Sequence, residues 1–121
     1  MRLDIEVWLR GNDFATNDIV ELPVPEPAEW QDADVRRVLE ELLRSIARAR
    51  DPEIAADSPV GLRGFNWIVT PFENRGVLIS VEIQLGAAAA GPFPLEEAEL
   101  DAAITRVLSP AAGGGGPTPV H

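Results

Sequence analysis

Residues 62–85 alternate apolar and polar side chains on both sides of an Asn74-Arg75-Gly76 triplet, and no other feature limits the fold as much. Period-two alternation belongs to strands with one buried face. Gly76 suits a turn position with positive φ. A three-residue loop, Asn74-Arg75-Gly76, matches a type I turn closed by a left-handed glycine bulge. It pairs Glu73 with Val77, Val69 with Val81, Trp67 with Ile83 and Phe65 with Leu85. One face then carries Phe65, Trp67, Val69, Val77, Ile79, Val81, Ile83 and Leu85. The other carries Asn66, Ile68, Thr70, Phe72, Leu78, Ser80, Glu82 and Gln84. A four-residue loop would bring Asn66 and Thr70 into the aliphatic row, so the buried face selects the shorter loop. Pro71 has no N–H to give, which places its strand at an edge or makes it irregular near the turn. The hairpin is expected at the centre of the sheet.

Residues 2–10 alternate as strictly. Leu3, Ile5, Val7 and Leu9 face one way, and Arg2, Asp4, Glu6, Trp8 and Arg10 the other. This is a half-buried antiparallel strand with an indole on its polar side. Residues 11–18 hold two Asn-Asp pairs, but they lack the alternate-ligand spacing and closing Glu of a calcium loop and read as turn chemistry. Residues 18–22 are a candidate short second strand, ended by Pro23, Pro25 and Pro27.

Helical spacing is strongest over 28–50, where Val35, Val38, Leu39, Leu42, Leu43, Ile46 and Ala49 recur on one face. Trp30 falls before the regular period and is expected at the helix entry. Arg36–Glu40, Arg37–Glu41 and Glu40–Arg44 are turn-spaced pairs on what reads as a solvated face. Asp51-Pro52 ends this helix. A second apolar stripe, Leu100, Ala103, Ile104, Val107 and Leu108, marks a helix over 95–108, with Pro94 at its start. Between hairpin and helix, Gly86-Ala-Ala-Ala-Ala-Gly-Pro-Phe-Pro94 reads as a linker of small residues. Residues 1–108 therefore form a single domain, and the Gly/Pro-rich residues 109–121 a flexible tail.

The order β-β-α-β-β-α predicts an α+β two-layer sandwich, with two helices on one face of an antiparallel sheet. The opposite face would show Trp8, Ile68, Phe72 and Leu78 among polar neighbours. A contiguous group of that kind marks an interaction site.

Chemistry has little to draw on. The one histidine is His121, and there is no Cys and no Lys, so the usual nucleophiles and neutral-pH bases are missing. Ser45, Ser58 and Ser80 have no evident base. Zinc, phosphate-loop and dinucleotide motifs are absent. Twenty acidic residues against ten arginines give a net charge of −10, unsuited to nucleic acid or anionic lipid and suited to basic partners. No run approaches the roughly 18 apolar residues of a membrane span, and the charged amino terminus is no signal peptide, so a cytoplasmic location is expected. The expected function is a non-catalytic protein–protein interaction module, a homodimer or adaptor, with no cofactor and no catalytic residue. The alternatives are an acidic inhibitor or immunity-type protein covering a basic site, and a carboxylate-based enzyme or small-ligand binder.

Overall fold

A computed structural model describes residues 1–55 and 58–109. Its elements are β1 (Arg2–Leu9), β2 (Thr16–Glu21), a 3-10 turn (Pro27–Glu29), α1 (Asp32–Arg50), β3 (Asn66–Pro71), β4 (Val77–Ile83), β5 (Gly86–Phe93) and α2 (Glu97–Leu108). Five antiparallel strands form one open sheet in the order β2-β1-β5-β4-β3, and both helices pack on one face of it. The α+β class expected from the hydrophobic pattern holds, with one strand more than β-β-α-β-β-α.

That strand corrects the reading of residues 86–94 as a linker. β5 is the middle of the sheet, hydrogen-bonded to β1 on one side and β4 on the other. Its residues, Gly-Ala-Ala-Ala-Ala-Gly-Pro-Phe, have poor strand propensity and no alternation of size. Position selects the small residues instead. A Cβ on Gly86 would sit 2.0 Å from the Trp8 carbonyl oxygen. Ala88 and Ala90 are buried beneath α1. Consequently β3 is an edge strand, not a central one, which suits Pro71.

The hairpin register is also corrected. Pro71 pairs with Val77, Val69 with Ile79 and Trp67 with Val81, two residues from the expected alignment. The Phe72 N–H donates to the Gly76 carbonyl at 2.9 Å, so the loop is Glu73-Asn74-Arg75, with Glu73 at φ 53°. A shift of two preserves which side chains share a face. Gly76 is demanded by tertiary packing as well as by its φ of +119°. A Cβ there would lie 1.9 Å from the Phe93 carbonyl oxygen. The end of β5 closes on the turn, and the local sequence around Gly76 does not reveal it.

The core lies between the helices and the inner face of the sheet. Ile5, Ile79, Leu39, Leu42, Ile46 and Ile104 are fully enclosed. Each such side chain contributes about 1.5–3 kcal/mol of transfer free energy. Trp67, Phe65 and Ile83 are half-buried against this cluster, as the alternation requires, whereas Leu85 in the β4–β5 turn is 38% exposed. Trp30 does stand at the entry to α1. Its indole N–H donates to the Pro25 carbonyl at 2.8 Å, and its ring meets Phe93 at a centroid distance of 4.9 Å. The Gln31 N–H donates to the Asp34 carboxylate at 2.8 Å and closes the first turn of α1. Of the tail expected over residues 109–121, all but Ser109 lies outside the described residues.

Candidate functional site

The outer face of the sheet is the side away from both helices. Its rows follow from the strand register. One row runs from Asn17 through Glu6, Ala89 and Ser80 to Ile68. The next holds Trp8, Ala87, Glu82 and Asn66. The small side chains of β5 make a low floor along the middle. A depression of about 420 Å³, open to solvent, lies over Ile68, Ser80, Glu82 and Ala87.

The four residues singled out from sequence all belong to this side of the sheet or its turn, but they do not meet as one patch. Ile68 on β3 is 58% exposed. Leu78 on β4 lies diagonally beside it, because Thr70 pairs with Leu78 and Ile68 with Ser80. Leu78 is half-buried, its side chain against Gly91. Phe72, half-buried, stands at the turn next to them. Trp8, 42% exposed, is three strands from Ile68, about 14 Å across the sheet at the usual strand spacing, and one row further along it. Ala87 and Glu82 come between. The face therefore has two apolar ends joined by an alanine floor.

Sequence reasoning missed Ile19. It pairs with Asp4 on the outer face and is 55% exposed. With β2 uncertain in extent, no face could be assigned to its residues. The charged members of the face's strands are mostly acidic. Asp4, Glu6, Glu21 and Glu82 are exposed there, against Arg2.

On the other side of the sheet the structure assembles a charged cluster. Glu41 is buried, where a solvated helix face was expected. Its carboxylate accepts from Arg44 at 2.7 Å and from Arg48 at 2.6 Å. Arg48 also donates to Asp18 of β2 at 2.7 Å, and the Ser45 hydroxyl donates to Asp18 at 2.9 Å. Burial works against the charge on Arg48, but the hydrogen bonds to Asp18 and Glu41 outweigh it and raise its pKa. Two carboxylates and two guanidiniums balance, and among the described residues no buried side-chain polar atom lacks a partner. The spacing of Glu41, Arg44 and Arg48 along one helix was readable; the arrival of Asp18 from β2, which accepts from Arg48 and Ser45, was not. The hydroxyl of Ser45 is turned to a carboxylate also held by Arg48, an arrangement that ties β2 to α1.

No helix among the described residues is long and apolar enough to cross a membrane. Compared with protein-family models, curated proteins and solved structures, the chain finds no match.

Proposed function

We propose that this chain is a non-catalytic interaction module that docks a protein partner bearing basic and apolar groups on the outer face of its sheet. The observation that carries the reading is the exposure of Trp8, Ile19 and Ile68 among four carboxylates on a face that neither helix covers. An aromatic and two β-branched side chains provide desolvation contacts. The carboxylates around them favour positive charge on the partner and speed its approach. Small residues along β5 leave room for a protruding side chain to sit between the two apolar ends. A protein that covers a basic site on its target would use the same surface, so the inhibitor alternative is a special case of this reading and differs only in what the partner loses.

The test compares capture by the wild-type chain with capture by Trp8→Ala/Ile68→Ala, using extract from the source organism. A partner lost with the double variant, and bound more weakly as salt rises, supports the reading. Equal capture by both proteins, with the variant's far-UV spectrum unchanged, removes it.

A further inference from the structure

The two edges of the sheet differ. At the β3 edge, Pro71 interrupts the row of donors, and α2 packs against the strand. Among the described residues the β2 edge has neither protection, and β2 pairs with β1 through an unbroken register.

The hydrogen-bond phase of β2 can be read directly. The Leu22 N–H donates to the Met1 carbonyl at 2.9 Å, so Met1 and Leu22 form a hydrogen-bonded pair. Antiparallel ladders alternate. Val20, Asp18 and Thr16 therefore bond to β1, and the backbone N–H and C=O groups of Asn17, Ile19 and Glu21 point away from the sheet. Among the described residues none bonds to these groups.

We propose that β2 pairs antiparallel with β2 of a second copy of this chain about a two-fold axis through Ile19. That register sets Ile19 opposite the partner's Ile19, and Asn17 opposite the partner's Glu21. All three pairs then fall at outward-pointing positions, so each exchanges two backbone bonds, about six in total. A one-residue slip would set outward groups against inward ones. Side chains agree with this register. Ile19, already 55% exposed on the outer face, gains an apolar cross-strand neighbour. The Asn17 amide meets a carboxylate as a donor. Asp18 brings no unpaired charge to the seam, because Arg48 holds it. The product is a continuous ten-stranded sheet from two five-stranded ones, with all helices on one side and both outer faces on the other. A partner with two binding sites would then meet a doubled face. The seam is small, so assembly depends on concentration.

The chain has no cysteine, which makes crosslinking a clean test. Hydrogen-bonded pairs stand about 5.5 Å apart at Cα, inside the range a disulfide bridges. Ile19→Cys is expected to oxidise to a covalent dimer at least about 10-fold faster than Asn17→Cys or Ile68→Cys, since only the axial position meets itself. Sedimentation of the full, unlabelled chain is expected to rise from 13.1 kDa toward twice that mass with concentration. Ile19→Lys, which places like charges across the axis, is expected to raise the dissociation constant at least about 10-fold. A wild-type chain that stays monomeric overturns the proposal. So does fastest crosslinking through Ile68→Cys, which would put the contact on the face instead of the edge. Loss of partner capture by Trp8→Ala/Ile68→Ala with dimerisation intact keeps the two proposals separate.

Discussion

Ile79 and Ile68 are the same residue type on adjacent strands, yet one is fully enclosed and the other 58% exposed. Val69, the neighbour of Ile68 along β3, pairs directly with Ile79. The inner and outer faces of this sheet are thus separated by one step along a strand, and what distinguishes them is the layer on top. On the inner face, Leu39, Leu42 and Ile46 of α1 close over Ile5, Ile79 and the two buried alanines of β5. On the outer face, Ile19, Ile68 and Trp8 stand apart among carboxylates and small residues. The difference teaches that apolar character alone does not define the core here. The same side chain adds to the core on the inner face and is left facing solvent on the outer one.

The sharpest way to break this comparison is to truncate one isoleucine on each face. Ile79→Ala should cost about 4 kcal/mol, because a cavity opens in the enclosed cluster. Ile68→Ala should change stability by no more than about 0.5 kcal/mol. Urea unfolding of the two variants gives both numbers. Similar losses would mean that something covers Ile68 in solution.

Enlarging alanines probes the same boundary from the other direction. Ala88 is fully buried and Ala87, its neighbour, lies on the outer floor. Ala88→Leu should destabilise by about 2–3 kcal/mol through overpacking beneath α1. Ala87→Leu should leave the unfolding midpoint nearly unchanged and weaken partner capture by filling the depression beside Ile68 and Glu82. Thermal melts together with capture assays separate the two outcomes.

Charge offers a third contrast. Glu41 sits under Arg44 and Arg48, whose side chains are 15% and 20% exposed, whereas Glu82 is exposed on the outer face. Glu41→Gln should cost about 2 kcal/mol, below the full penalty for a broken buried pair because the guanidiniums keep some water. Glu82→Gln should leave stability within about 0.5 kcal/mol and reduce partner association at low salt. Denaturation and binding measured at two salt concentrations would check both.

Much of the fold was legible because large side chains carry phase. Leu3, Ile5 and Val7, or Val77, Ile79 and Val81, announce a strand and its buried side, and Val38, Leu42 and Ile46 announce a helix face. β5 has no such signal. Alanine and glycine carry no contrast between faces, and the glycines suit this strand because the Trp8 and Val77 backbones lie against Gly86 and Gly91. The two-residue slip of the hairpin was hidden for the same reason, since Gly76 answers to Phe93, which is distant in sequence. On the candidate face, alternation placed Trp8, Ile68 and Leu78 correctly. It could not place Ile19, whose strand boundaries were uncertain, or show that β5 would separate Trp8 from Ile68. Glu41 was assigned to solvent because a helix period gives no notice of Asp18 approaching from β2.

The smallest effect tests the rule about covering layers at a site away from both faces. Arg106 of α2 meets Asp32 at the start of α1 with two bonds, at 2.9 and 3.0 Å, and both side chains are about half exposed. The hydrogen bond from Arg106 holds the Asp32 carboxyl below its ordinary value. A carboxyl depressed in the folded state stabilises the fold above its unfolded pKa of about 4, and that contribution fades as pH falls through the lower folded value. The gap in unfolding midpoint between wild type and Asp32→Asn should therefore be present at neutral pH and close in acid. It should also shrink with added salt, as expected for an exposed pair. The Glu41 cluster, shielded from solvent, should respond to salt far less. If the Asp32→Asn gap persists in strong acid, the interaction with Arg106 is not its cause, and the contrast between covered and uncovered charge loses its exposed example.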